Sequence, residues 1–330
     1  MSVSIVVPCY RSASTLPMLV ARVNEVMPRV TVTYEVILVV DGGPDDTWEV
    51  ARDLAKGNDR VRAIRLARNY GQHNALVAGI RAASNDVIVT MDDDLQHPPE
   101  ELPKLIAALS DDLDLVYALP QDEEHGVLRS LASRLVKAGM AGPIGVQNAR
   151  LLSAFRVFRS FLRQGFDQIY GPHASVDVAL SWGTTRVGKV TVRMDDRAGG
   201  RSGYTFRTLV RHAVNMLLGY STAPLRLVTY FGFVVGLGGL VLLGRLLWLY
   251  FGGTTSVAGF TTIASLITIF CSAQLIAIGV VGEYIGRIHA GGMGRPTYVI
   301  REQVDGDMVV YLSRGESPGP EAAADRPLTG

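Results

Sequence analysis

Between Arg226 and Glu283 the chain carries a single charged residue, Arg245. A helix that crosses hydrocarbon needs about 20 mostly apolar residues. This stretch holds two such segments, at about 225–251 and 260–281, around a Gly/Thr/Ser turn at 252–256. Arg211 and Arg226 precede the pair and Arg287, Arg295 and Arg301 follow it, while the turn has no basic residue. The positive-inside rule then predicts a two-helix transmembrane hairpin in an integral membrane protein, with both termini cytoplasmic. Arg245 falls near the far end of the first segment, where a long side chain snorkels to the headgroups.

The region before the hairpin mixes charge and apolar runs as a soluble domain does. Its N-terminus, MSVSIVVPCY, has no basic leader and reads at once as a strand. Short β-branched runs at 3–7, 36–40, 63–66, 87–91 and 113–118 alternate with helical patterns at 16–27, 47–55, 73–83 and 99–109. Such alternation predicts βαβ units and a largely parallel sheet covered on both faces, with ligands at the carboxyl ends of the strands. The pattern then turns helical and polar through roughly 127–166 and returns to a strand at 187–192. The expected organisation is an α/β domain at 1–204, a juxtamembrane amphipathic helix at 205–222, the hairpin at 223–286, a cytoplasmic segment at 287–312 and a disordered tail at 313–330. The helix at 205–222 is expected either in the membrane interface or packed on the domain. A net charge of +1 lacks the basic excess of a nucleic-acid binder. Cys9 and Cys271 form no metal or redox spacing and read as small apolar fillers.

Three successive acids, Asp92, Asp93 and Asp94, directly follow an apolar strand in MDDDLQHPPE. They repel one another unless a cation is bound, and an Asp-x-Asp spacing presents two carboxylates, Asp92 and Asp94, to one hard divalent ion such as Mg²⁺ or Mn²⁺. Capping of the following helix is the alternative, and it accounts for Asp94 alone. A further acid, Asp41, ends the second strand in VVDGGPDDT, where glycines admit a ligand to the backbone and the acid can accept from a ribose or base. An ordinary strand-to-helix turn capped by Asp46 is the equal alternative there. Six arginines stand against Asp195 and Asp196 between Arg193 and Arg226, which taken alone is a topology signal.

VVPCY, the Asp41-Gly turn, RNYGQH at 68–73 followed by Ala78-Gly79, and MDDDLQHPPE together resemble family 2 glycosyltransferases. That family has the nucleotide-diphospho-sugar transferase (GT-A, Rossmann-like) fold. Arg197-x-x-Gly200-x-Ser202-x-Tyr204, then APLR at 223–226, GEYIGR at 282–287 and Arg295-Pro296 narrow the likeness to polyprenyl-phosphate glycosyltransferases. The resemblance implies a nucleotide-sugar site near Pro8, Tyr10, Asp41, Arg68, Asp92 and Asp93, with Mg²⁺ or Mn²⁺ on Asp92 and Asp94. It implies a lipid-phosphate site at Arg197, Arg201, Ser202 and Tyr204, and the arginine fork suits phosphate oxygens. Asp93, Asp94, Asp177 and Arg201 are the implied catalytic residues. The implied reaction is inverting transfer of a hexose from a UDP-sugar to a polyprenyl phosphate at the cytoplasmic membrane face, by a homotetramer.

Two positions depart from the pattern. Many relatives carry two acids where this chain has Val40-Asp41, and some carry an Asp where Ala154 precedes Phe155-Arg156. Asp177 is one candidate replacement, with a capping or surface role the equal alternative, and an ionised phosphate acceptor needs no strong base. These departures keep open a nonenzymatic, membrane-tethered nucleotide-sugar binder. A processive polysaccharide synthase would carry Gln-x-x-Arg-Trp, yet none of Trp48, Trp182 and Trp248 follows an arginine.

Overall fold

Strand β1 (Val3–Cys9) is buried at every position, and so is β2 (Tyr34–Val40). Unbroken apolar burial of this kind is the mark of parallel strands covered on both faces. In a computed structural model, which describes residues 1–121, 153–167, 175–195, 223–252, 259–306 and 308–311, these two strands form the middle of a nine-stranded sheet. The other early strands are β3 (Val61–Leu66), β4 (Val87–Thr90) and β5 (Leu115–Pro120), connected through α1 (Leu16–Val26), α2 (Thr47–Lys56), α3 (Gln72–Ala82) and α4 (Leu102–Ala107). Later come β6 (Arg156–Arg159), α5 (Gln164–Asp167), α6 (Val176–Gly183) and β7 (Val187–Val192), and near the C-terminus β8 (Ile300–Asp305) and β9 (Met308–Tyr311).

The strand order is β7-β5-β6-β4-β1-β2-β3-β8-β9. Strands β1 to β4 run parallel, so their carboxyl ends share one edge. The sheet as a whole is mixed, because β6 lies antiparallel between β4 and β5, and β8 and β9 add antiparallel beyond β3. This corrects the expectation of a largely parallel sheet. Four residues, RVFR, carry too little periodicity to announce β6, and the charged IREQVD of β8 becomes a strand only through its pairing with β3.

One apolar cluster lies under α1, α2 and α4 and another under α3, on the two faces of the sheet. Helix α3 comes close to the sheet at Gly79. A Cβ there would stand 2.3 Å from Val6 Cγ1 and 3.0 Å from Val39 Cγ2. Valine is stiff at χ1, so neither neighbour can turn aside cheaply. At the amino ends of the strands, Glu35 accepts from Ser4 Oγ (2.6 Å), Ser84 N and Oγ (2.8 and 2.7 Å) and Arg62 (3.0 Å), and Arg62 also pairs with Asp305 of β8.

By contact clustering the chain forms two units. One comprises Met1–Ser130, Asn148–Ser202 and Pro296–Gly330, and the other Leu131–Gln147 and Gly203–Arg295. In the second, long helices do occupy the apolar segments: α7 (Ala223–Phe251) and α8 (Phe260–Gly292), which pack on each other. Among the described residues, however, no helix is long and apolar enough to cross a membrane. The transmembrane hairpin and the integral-membrane localisation are corrected accordingly, and among the described residues no helix supports the membrane as a partner. Spanning needs about 20 mostly apolar residues in one run. Gln274 and Glu283 fall within α8, and Gly232, Gly238, Gly244 and Arg245 fall within α7. The expected helix at 205–222 and the tail from 313 lie outside the described residues.

Two measurements check this packing. Gly79→Ala gains about 1 kcal/mol of helix propensity but overpacks the α3 interface at a cost of about 1–3 kcal/mol, and urea unfolding should show a net loss of up to about 2 kcal/mol. For Glu35, burial pushes the pKa up, but the hydrogen bonds from Ser4, Ser84 and Arg62 outweigh it and hold the pKa below the usual glutamate value. A depressed folded-state pKa contributes stability above the unfolded value and loses it as pH falls through the folded one. Glu35→Gln should therefore unfold more easily than the parent at pH 7, with the gap closing as the pH falls through and below the glutamate range.

Candidate active site

The carboxyl ends of β1, β2 and β4 surround a cleft of about 260 Å³ lined by Pro8, Cys9, Tyr10, Asp41, Asn69, Gly71, Gln72, Asp92, Asp93 and Asp94. Each of the four acids in it accepts a hydrogen bond from a nearby backbone amide or side chain. Asp41 is 3% exposed, and its two oxygens accept the Tyr70 and Gly71 amides, both at 2.7 Å. Burial raises its pKa, and these amides oppose that shift. Asp92 accepts from Gln72 Nε2 at 2.7 Å, at the first turn of α3. Asp94 accepts the Gln96 amide at 3.1 Å and so folds its own loop.

Asp93 turns the other way. Its Oδ2 accepts the Tyr10 amide at 3.1 Å, so it ties β4 to the loop that follows β1. Burial pushes its pKa up to about 6, aided by repulsion from Asp92 and Asp94 and opposed by its bonds to Ser12 and Tyr10. Asp93 therefore acts as a tie between loops. Two non-glycine residues in the left-handed region flank this tie, Arg11 (φ 58°) in the β1 loop and Leu95 (φ 63°) in the acid loop. Such strain persists where surrounding contacts fix the backbone, and the burial of Leu95 at 4% exposure supplies one of them. Gly42 at φ +52° lets the backbone of Arg68 and Asn69 pass, because a Cβ there would lie 2.7 and 2.8 Å from them.

Behind the acids, Arg156 is 1% exposed. Its Nε donates to Thr90 Oγ1 at 3.0 Å, its guanidinium bridges to Asp177, and the Tyr117 ring lies 5.8 Å away. Burial pushes the Tyr117 phenol up to about 12. His97 packs on Phe155 at 5.1 Å between ring centroids, and burial pushes it down to about 4.

The structure thus gathers Pro8, Tyr10, Asp41, Asp92, Asp93 and Asp94 in one cleft. Arg68 lies beside it, its guanidinium 4.5 Å from the Tyr70 ring. Asp177 stands apart from the cleft lining, paired with Arg156. Arg197, Arg201, Ser202 and Tyr204 lie outside the described residues. Gln72 and Arg156 were not singled out by sequence reasoning, although both sit inside segments quoted for the resemblance, RNYGQH and Phe155-Arg156. Among the described residues no group of three or more His, Cys, Asp or Glu side chains is placed to hold a metal. Two carboxylates suit Mg²⁺ or Mn²⁺ when a bound diphosphate supplies further oxygens, which keeps Asp92 and Asp94 as candidates for that role.

An α/β domain with an acidic cleft at its strand ends defines a nucleotide-binding class, and comparison gives the family. Residues 4–167 match the model for "Glycosyl transferase family 2". The chain is 32% identical over 305 residues to an undecaprenyl-phosphate 4-deoxy-4-formamido-L-arabinose transferase of Photorhabdus laumondii, covering 92% of this chain and 94% of that one. The transferase of the same description from Proteus mirabilis matches equally, at 32% over 305 residues with the same coverage. A mycobacterial protein of known structure superposes with TM-score 0.50 at 20% identity, covering 67% of this chain and 74% of that one, a likeness that speaks to the fold alone. The chain belongs to glycosyltransferase family 2 and is a glycosyltransferase, which removes the nonenzymatic binder as an alternative.

Gly42→Ala tests the geometry of the wall at 68–71. The new Cβ costs about 1–2 kcal/mol in the left-handed region and displaces Arg68 and Asn69. Titration with UDP should show affinity lowered by at least about tenfold, the equivalent of 1.4 kcal/mol, in a protein that remains folded.

Proposed function

We propose that the chain transfers a hexose from a UDP-sugar to a polyprenyl phosphate, with inversion at the anomeric carbon. The observation that carries this reading is the cleft of Asp41, Asp92, Asp93 and Asp94 at the strand ends, in a chain that aligns over 92% of its length with transferases named for undecaprenyl phosphate.

In this reading Pro8, Tyr10 and Asp41 form the nucleoside end of the cleft, with Arg68 beside the donor. A divalent cation on Asp92 and Asp94 would neutralise charge growing on the leaving diphosphate. Asp93 holds the Tyr10 loop against the acid loop, so the nucleoside end and the diphosphate end of the cleft keep a fixed spacing. Such preorganisation lowers the barrier because no residue has to reorient as charge develops. Arg197, Arg201, Ser202 and Tyr204 carry the donors that suit the acceptor phosphate. That phosphate is already ionised, so its oxygen attacks without a strong base. Asp177, paired with Arg156, serves as an organiser of the floor beneath Thr90 and Asp92.

Detergent-solubilised undecaprenyl phosphate, labelled nucleotide sugars and Mg²⁺ or Mn²⁺ test the proposal directly. Labelled sugar should move to lipid, most efficiently from a UDP-sugar. Transfer should stop on chelation, and Asp94→Ala should lower kcat by about a hundredfold or more, as removal of a transition-state charge partner does. Undiminished transfer by Asp94→Ala would remove the metal assignment.

A further inference from the structure

The cleft wall at 68–71 is held from the far end of the chain as well as by Asp41 and Gly42. The segment at 297–299 emerges after α8 and precedes β8. It lies beyond the β3–β8 ladder, which begins at the Leu66↔Ile300 pair after a register irregularity at Arg65/Leu66. There the Ala67 amide, first residue of the loop, donates to the Val299 carbonyl at 2.8 Å. Thr297 is 3% exposed. Tyr298 packs against the same apolar cluster as Tyr70 of the wall, and the Arg81 guanidinium stands 5.6 Å from its ring. Arg81 in turn donates to the Phe166 carbonyl at 2.5 Å, so the ring is met by a side chain that is itself held.

A strand that merely covers a sheet edge would begin and end with the ladder. Here three residues continue past it, with Thr297 buried and Tyr298 packed against the cluster that Tyr70 also meets. The wall's own amides at Tyr70 and Gly71 are those that saturate Asp41, so a displacement at Ala67 reaches the nucleoside end of the cleft through two short links.

We infer that 297–300 is a strap that positions the 68–71 wall for a nucleoside diphosphate, with Tyr298 as its anchoring residue. Tyr298 is a positioning residue: it touches no ligand and acts through Ala67 and Tyr70. The inference rests on the donor-site reading above.

The test uses the full chain with Tyr298→Ala, Tyr298→Leu and Tyr298→Phe, titrated with UDP in the presence of Mn²⁺ and assayed for donor KM and kcat, with thermal unfolding measured alongside. Tyr298→Ala should weaken UDP binding and raise donor KM by about tenfold, with kcat within about twofold of the parent, the pattern of lost binding common to ground and transition states. Tyr298→Phe keeps the ring over Arg81 and should restore both. Tyr298→Leu keeps apolar bulk and loses the cation–π contact, so it should fall between the two and serves if the alanine variant does not fold. Parent-like UDP affinity in the folded alanine or leucine variant overturns the positioning role. So does a loss that Tyr298→Phe fails to restore. A parent chain that binds no UDP overturns the donor-site reading together with the strap.

Discussion

Four carboxylates at one end of a sheet are an electrostatic liability, and the structure resolves it by giving each a hydrogen-bond donor. The amides of Tyr70 and Gly71 take Asp41, the Tyr10 amide takes Asp93, Gln72 takes Asp92 and the Gln96 amide takes Asp94. Each of these donors lines or borders the cleft, four from loops and Gln72 from the first turn of α3. The acids therefore shape the pocket as well as charge it. Charge-assisted bonds of this kind are roughly twice as strong as neutral ones, and they order these loops together with the apolar packing of Tyr70 and Leu95.

That arrangement depends on the strands ending in register. β1, β2 and β4 are adjacent and parallel, so Tyr10, Asp41 and Asp92 emerge side by side. Helix α3 must lie close to the sheet for Gln72 to reach Asp92, and Gly79 permits that approach. Arg156 of β6, the register partner of Thr90 on β4, places a fixed positive charge behind the acids and is itself held by Thr90 and Asp177. The site is thus carried by the most rigid part of the fold, as a site that must hold charge groups at set spacing requires.

Much of this was legible in the sequence for a physical reason. Apolar runs of β1 to β4 are buried on both faces and so read plainly, and an acid that directly follows such a run must lie at the functional edge. The division of labour among Asp92, Asp93 and Asp94 was not legible, because adjacent side chains point in directions set by the loop backbone, here by the left-handed Leu95. β6 and β8 were hidden by their arginines and acids, since their strand character comes from partners distant in sequence. The long apolar stretch was read as a membrane hairpin from composition alone. It is helical, but among the described residues no helix is long and apolar enough to cross a membrane.

The central claim is that Asp41 and Asp93 build the cleft while Asp92 and Asp94 remain for the cation and the donor diphosphate. Crystals grown with UDP and Mn²⁺ and measured at a wavelength where manganese scatters anomalously would test it most directly. The account predicts one manganese peak within ligand distance of the Asp92 and Asp94 carboxylates and of the diphosphate, with Asp93 still bonded to the Tyr10 amide. A peak ligated by Asp93, or UDP bound away from the ends of β1, β2 and β4, would contradict it.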